Sequence, residues 1–284
     1  MASLREIRQH ISAVNSLWQM TNAMKKVAIA RARRHRNYLR MIEPYARGLE
    51  RTMSLLALRH GLLHPLLKSR PVIHEVVLVI GSERGLCGAY NLEVIKGLAG
   101  LPPPVEGADR SFVVCGKRLG DLLRIPHIKP TSVMPRPRHG SIEEIRPLAD
   151  ELTTDYLNDR TQRVTVFRTT VDDEGRREAT YRTILPARPT TVPLLARLSP
   201  EIEPGSRELF DYLLPRFILS ELRMSFLESM ALEEEARALA MQAAANNAED
   251  LEVQLKKQFR RARQERITRE LLELVAAPSS GALA

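Results

Sequence analysis

Two long stretches without glycine or proline, one near each end, are the feature that most limits how this chain can fold. No proline occurs before Pro44 and no glycine before Gly48, and neither residue occurs between Pro215 and Pro278. Such stretches favour long helices, roughly 80 Å over the first ~55 residues and about 90 Å after Pro215. We expect Pro44 to kink or interrupt the first helix.

Apolar residues in both stretches recur in alternating steps of three and four. In the first stretch they are Leu4, Ile7, Ile11, Val14 and Trp18, continued less regularly by Met24, Val27 and Ala28. In the second they form three short runs, Leu219–Leu222–Phe226, Ala248–Leu251–Leu255 and Ile267–Leu271–Leu274. This period is typical of a coiled-coil seam. We therefore predict that the two helices pair as an antiparallel coiled coil.

The segment between the helices has the pattern of an α/β domain. Strands are predicted at 74–82, 111–116 and 162–170, with helical segments near 90–99, 117–125 and 141–158, and an edge strand at 178–187. Strands that alternate with helices indicate a mostly parallel sheet covered on both faces. The predicted fold is thus α/β, a long antiparallel coiled coil of N- and C-terminal helices with an inserted Rossmann-like domain. The predicted segments are 1–60, 70–200 and 206–284.

The stretch VVLVIGSERGLCGAYN, residues 76–91, places a glycine loop between a strand and a helix, as nucleotide sites do. It has no Walker A lysine, and its glycines at 81, 85 and 88 do not fit the dinucleotide fingerprint. A helix N-terminus near Arg84 could still attract an anion. The favoured interpretation is a structural tight turn.

No other group of residues predicts catalysis or metal binding. Gly61 and Pro65 break the helix that would place His60 and His64 on one face, so solvated histidines are expected. The three carboxylates at 233–235 are consecutive and are expected on a solvated or charge-complementing face. Two cysteines, Cys87 and Cys115, are too few for a disulfide framework. We expect no catalytic, cofactor-binding or metal-binding residue.

The last informative feature of the sequence is its charge, a formal net charge of +9. The basic residues lie in two bands: Lys25, Lys26, Arg31, Arg33, Arg34, Arg36 and Arg40, then Lys256, Lys257, Arg260, Arg261, Arg263, Arg266 and Arg269. A nucleic-acid-binding protein is one interpretation, although only 5% of residues are aromatic and could stack on bases. In an antiparallel pair, the first band is predicted to lie near residues 228–235.

Four blocks of sequence resemble the gamma subunit, the central rotor shaft, of rotary F-type ATP synthases. They are MTNAMKKVAIARARR (20–34), SERGLCGAYN (82–91), LEEEARALAMQAAANNAEDL (232–251) and FRRARQERITRELLELVAA (259–277). The resemblance implies a shaft inside the hexamer of alpha and beta subunits, with a globular domain at the epsilon subunit and the membrane c-ring. Lys26, Leu232 and the pair Ala245–Asn246 depart from the family's usual residues.

The resemblance also implies contact residues and a location. Residues predicted to contact the alpha/beta hexamer are Met24, Arg237, Gln264, Thr268 and Glu270, and those predicted to contact epsilon or the rotor ring are Arg84, Gly85, Leu86, Cys87 and Gly88. The chain would have no active site or cofactor of its own, and no nucleic-acid partner. It would couple the passage of protons or sodium ions to ATP synthesis or hydrolysis. It would be peripheral, at the cytoplasmic face of the inner (plasma) membrane.

Overall fold

The structure, a computed structural model, describes residues 3–60, 64–123, 128–188 and 205–276. The chain divides into two compact units, one of residues 1–27 with 238–284 and one of residues 28–237. This division cuts both long helices. The predicted segmentation at 1–60, 70–200 and 206–284 therefore stays a prediction.

Two helices are unusually long, α1 at Leu4–His60 and α5 at Ser206–Ala276. Pro44 lies inside α1 and Pro215 inside α5, so the predicted interruption at Pro44 is wrong, and α5 begins before Pro215. Both proline rings are exposed, while Ile42 and Leu214 are buried close by. A proline removes one backbone hydrogen bond, and burial of the neighbouring turns offsets that loss.

In the unit of residues 1–27 and 238–284, α1 and α5 pair antiparallel, as predicted. Arg8 stacks over the Phe259 ring at 5.6 Å, and Lys25, further along α1, donates to Gln242, further back along α5, at 2.9 Å. The less exposed positions of α1 are Leu4, Ile7, Ile11, Val14, Trp18, Thr21, Met24 and Lys25, with Asn22 beside them. Those of α5 include Met241, Ala245, Ala248, Glu252, Leu255, Phe259 and Ala262.

The seam differs from the predicted one at three places. Val27 and Leu251 are exposed, and Glu252 takes the partly buried position beside Leu251. The run Ile267–Leu271–Leu274 is exposed throughout, so it forms no seam with the described residues of this chain. In the other unit the seam continues along α1 at 28, 32, 35, 39, 42, 46, 49, 53 and 56, which keeps the alternation of four and three.

The unit of residues 28–237 contains a five-stranded sheet in the order β3-β2-β1-β4-β5. The strands are β1 His74–Ile80, β2 Asp109–Cys115, β3 Pro130–Met134, β4 Arg163–Val171 and β5 Arg177–Leu185. All neighbours are parallel except β4 and β5, which agrees with the predicted sheet and its edge strand. Strand β3 was not predicted, because it begins at a proline and is mostly exposed.

The connecting helices match the predicted segments closely. They are α2 Tyr90–Ala99, α3 Lys117–Leu122 and α4 Ile142–Leu157, and a short 3-10 helix covers Pro65–Leu67. One face of the sheet packs with α4, α5 and the C-terminal half of α1, and the other packs with α2, α3 and the α5 residues Leu232 and Ala236. Among the described helices, none is both long and apolar enough to cross a bilayer.

Candidate subunit-contact surfaces and a buried charge cluster

The glycine loop after β1 is a tight structural turn. A Cβ at Gly81 would lie 2.3 Å from the Leu119 side chain, so only glycine lets α3 approach this closely. The Glu83 carboxylate accepts hydrogen bonds from the backbone N–H groups of Lys117 (3.2 Å) and Arg136 (3.1 Å). An incoming phosphate would need such amides, and here the chain's own carboxylate occupies them. The loop therefore gives no support to a phosphate site.

The same loop presents some side chains and buries others. Arg84, Leu86 and Gly88 are exposed, Gly85 is half-buried, and Cys87 is buried under the loop. Leu86 adopts a positive φ of 62°, which turns its side chain outward at a cost in backbone strain. Of the residues predicted to contact epsilon or the ring, Arg84 and Leu86 have exposed side chains, and Cys87 contributes to the core.

Three consecutive glutamates of α5 form the centre of a buried charge cluster. Glu233, 1% exposed, pairs with Arg136 and Arg237. Glu234 pairs with Arg237 at 2.9 Å and with Arg31 at 3.7 Å. The predicted approach of the first basic band to residues 228–235 is confirmed, and of the two faces considered for these glutamates the charge-complementing one is observed.

Arg36 and Glu235 complete the cluster at its more exposed edge. The Arg36 guanidinium donates to both Glu235 oxygens in a two-pronged pair, with 2.8 Å between Nη2 and Oε2. This hydrogen bond raises the pKa of Arg36. Because a planar guanidinium matches a carboxylate in this geometry, the pair fixes the facing turns of α1 and α5 in register.

Arg237 connects the two predicted contact sets. Its side chain is 8% exposed and donates to the carbonyl oxygens of Gly85 (3.3 Å) and Arg84 (3.4 Å). The resemblance implied that Arg237 contacts the hexamer and that Arg84–Gly88 contact epsilon or the rotor ring. Within this chain the guanidinium instead joins α5 to the glycine loop. Its burial gives it a positioning role in this chain, whereas direct subunit contact stays a prediction.

His35 lies on the seam face of α1 beside this cluster. Burial, and then the positive charge of Arg136, lower its pKa from 6.5 to about 4, so the imidazole is neutral at pH 7. His64, by contrast with the solvated histidine expected, is mostly buried: its Nε2 lies 2.9 Å from an Asp211 oxygen, and its Nδ1 accepts from the Leu66 N–H. The side chain of His60 lies outside the described residues.

The other residues predicted to contact the hexamer lie in the unit of residues 1–27 and 238–284. Met24 is half-buried, and Gln264, Thr268 and Glu270 are exposed. The Thr268 hydroxyl donates to the Gln264 carbonyl at 3.0 Å, and Glu270 pairs with Arg266 at 2.7 Å. These contacts stay within one helix, so the polar groups of Gln264 and the outer face of Thr268 remain accessible.

Sequence reasoning missed Arg136, whose partner Glu233 lies 97 residues away. Arg136 follows β3, the strand that was not predicted, and nothing local in MPRPRHG distinguishes it from a solvated arginine. Among the described residues, no group of histidine, cysteine and acidic side chains has the arrangement of a metal site.

Comparison with known proteins identifies the family. Proteins named ATP synthase gamma chain from Flavobacterium johnsoniae and Desulfitobacterium hafniense are each 31% identical to this chain, the first over 97% and the second over 99% of both chains. The one from Anaeromyxobacter sp. is 32% identical over 97% of this chain and 98% of the relative. The family model described as ATP synthase matches residues 3–280. The chain belongs to the ATP synthase gamma chain family.

Solved structures agree with this family membership at the level of fold. A chain of the Euglena gracilis mitochondrial ATP synthase (OSCP/F1/c-ring) has a TM-score of 0.60 at 14% identity, covering 99% of both chains. A chain from the central stalk and c-ring of the Tetrahymena thermophila mitochondrial ATP synthase has a TM-score of 0.57 at 17% identity, covering 79% of this chain and 99% of that one. The chain therefore shares its fold with chains of these two assemblies at low sequence identity.

Proposed function

We propose that this chain is the central-stalk subunit of a rotary ATP synthase, which couples ion-driven rotation to ATP synthesis or hydrolysis in an alpha/beta hexamer. The observation that carries the proposal is the match to gamma chains over 97% or more of this chain and of its relatives. The fold supports it, because a paired α1 and α5 with an inserted α/β domain is what the resemblance implied. Nothing in the comparisons supports the nucleic-acid alternative.

The hexamer would contact the unit of residues 1–27 and 238–284. Its surface carries exposed apolar side chains, including Leu17, Met20, Leu271, Leu272 and Leu274. The accessible Gln264, Thr268 and Glu270 precede the last three of these on α5. A surface that differs from one side to another would make three beta subunits inequivalent, and turning it would change their affinities in sequence.

The epsilon subunit and the c-ring would contact the inserted domain. Arg84 and Leu86 supply a charge and an apolar side chain on the outer surface of the glycine loop, where three of the five predicted contact residues are exposed. In this assignment the chain holds no active site, and nucleotide chemistry belongs to the hexamer. The chain would be peripheral to the membrane, at the cytoplasmic face.

Site-directed cross-linking tests this assignment, since both native thiols, Cys87 and Cys115, are buried. A photoreactive maleimide attached to Thr268→Cys should cross-link to alpha or beta in the affinity-purified complex. The same reagent on Leu86→Cys should cross-link to epsilon or the ring. Each variant is the control for the other, because both carry one new exposed thiol.

The result also separates the two functions. Recovery of ATPase subunits with each variant cross-linked to its own set supports the shaft. Recovery of nucleic acid alone, with binding that weakens steeply as salt is raised, contradicts it. Cross-links to the opposite set from each position would refute the proposed orientation.

A further inference from the structure

Within the unit of residues 28–237, five polar side chains of α5 bind four different parts of the α/β domain. Glu221 pairs with Arg182 of β5 at 3.0 Å, and Glu228 pairs with Arg168 of β4. Glu233 pairs with Arg136, which follows β3. Arg223 donates to the Gly140 carbonyl at 2.9 Å and Arg237 to the Gly85 carbonyl at 3.3 Å.

The side chains that make these links project from several sides of α5. Successive residues of an α-helix are turned by about 100°, so positions 221 and 228 project within ~20° of each other. On the same geometry, positions 233 and 237 project about 120° and 160° from position 221, and position 223 about 200° from it. A rotation of α5 about its own axis would therefore lengthen links on opposite sides of the helix at once.

Several of the linking side chains are almost fully buried, which suits them to fixing orientation. The side chains of Glu233, Glu221 and Arg136 are 1%, 5% and 8% exposed. Buried ion pairs add little net stability compared with apolar packing of the same volume, yet a directional pair can specify one register where apolar contact accepts several. Around them lie apolar residues such as Phe226 and Met230, which supply the burial without that directionality.

We propose that the ion pairs Glu221–Arg182, Glu228–Arg168 and Glu233–Arg136, with the Arg223 and Arg237 hydrogen bonds, set the rotational register of α5 in the α/β domain. The domain and this part of α5 would then turn as one body. The mechanical consequence rests on the proposed function: torque that reaches the domain passes into α5 without slip. The five α5 residues and their partners are positioning residues.

Distances between spin labels in the full chain test the register itself. Labels on Tyr212→Cys of α5 and Tyr181→Cys of β5 use exposed positions, and the buried native thiols stay unlabelled. The test variant replaces two pairs by apolar residues, Arg168→Met with Glu228→Leu and Arg136→Met with Glu233→Leu. The control variant, Arg261→Met with Glu265→Leu, removes a pair that joins two residues of α5 to each other.

We expect the test variant to fold and to show a broadened and shifted distance distribution, while the control keeps the wild-type distribution. A folded test variant with the wild-type distribution would overturn the proposal. If the test variant does not fold, the milder Arg182→Met with Glu221→Leu decides by the same criterion, because Arg182 is already 45% exposed.

A second measurement uses the assembled complex. ATP-driven ion pumping per ATP hydrolysed should fall in the test variant and stay unchanged in the control. Unchanged pumping per ATP in an assembled complex of the test variant would contradict the mechanical consequence. If the wild-type chain recovers no ATPase subunits, the proposed function fails, while the label distances still decide whether these pairs set the register.

Discussion

Glu233 has the most completely enclosed charge of the buried cluster, 1% exposed between Arg136 and Arg237. We expect Glu233→Gln to lower the free energy of unfolding by about 3–5 kcal/mol, because it leaves the buried Arg136 guanidinium without a carboxylate and Arg237 with Glu234 alone. Urea unfolding followed by circular dichroism measures the change. The matched control is Glu265→Gln, in the exposed pair with Arg261, where a change of at most ~1 kcal/mol is expected.

His35 predicts how stability depends on pH. Its pKa is lowered from 6.5 to about 4 in the folded chain, mainly by burial, so the unfolded chain takes up a proton first as the pH falls. The contribution of neutral His35 to the free energy of unfolding is fully present above pH 6.5. It is lost as the pH falls toward 4, by up to about 3 kcal/mol.

Replacing His35 isolates this contribution from that of other titrating groups. His35→Leu should flatten the fall in unfolding free energy between pH 7 and pH 4.5, and His64, whose pKa is also lowered by burial, should account for part of the remaining slope. His10→Gln, at an exposed position of the same helix, is the control. An unchanged slope in His35→Leu would show that folding does not lower the pKa of His35.

At the scale of elements, two helical glycines predict opposite effects of the same substitution. A Cβ at Gly97 of α2 would lie 2.5 Å from the Ala179 Cβ of β5, whereas a Cβ at Gly48 of α1 would meet nothing within 4 Å. We expect Gly48→Ala to raise stability by about 1 kcal/mol through helix propensity. Gly97→Ala should lower stability by about 1 kcal/mol, because overpacking outweighs that gain.

Thermal unfolding of the two variants and the wild type shows in one experiment whether each substitution raises or lowers stability. Equal stabilisation by both substitutions would mean that α2 can move away from β5 without loss. Equal destabilisation would mean that Gly48 meets a contact that the structure does not show.

Apart from strand β3 and the short 3-10 helix, the elements were predicted from the sequence to within a few residues, because their signals are local. Strands β1 and β4 are β-branched runs, and the long helices follow from the absence of glycine and proline. Strand β3 could not be found, since an exposed edge strand needs no apolar pattern and PTSVM has none. Helix α5 begins at Ser206 and continues through Pro215, because packing of Leu214 and Phe217 offsets the helix-breaking preference of proline.

At the scale of the whole molecule, the two cysteines report cooperative unfolding. Cys87 and Cys115 are both buried, and burial raises the pKa of both thiols, that of Cys115 to about 12. We expect no reaction with a thiol reagent in native buffer at pH 8, and reaction of both thiols over the same range of urea that unfolds the chain. Early reaction of Cys87 alone would show that the glycine loop opens before the sheet unfolds.

The candidate site was only partly predictable, because its decisive contacts join distant parts of the chain. The sequence predicted that the first basic band lies near residues 228–235, because antiparallel pairing of the two helices places these residues side by side. It could not place Arg136 against Glu233, or turn Arg237 inward to the glycine loop, because both depend on how the sheet packs on α5. Motif resemblance identified the family, but it carries no information on which matched residues are buried.

The exposed C-terminal end of α5 is expected to be less stable as a helix than the rest of α5. After Ala262, the last half-buried seam position, residues 263–276 stay helical with Ile267, Leu271 and Leu274 exposed. Within this stretch the ion pair Arg266–Glu270 supports the helix, and such pairs contribute only ~0.2–0.5 kcal/mol each. A helical segment of this length is marginal in water when unsupported. Its amide protons should thus exchange quickly in the free chain and slowly once another protein encloses it, which makes them a direct reporter of assembly.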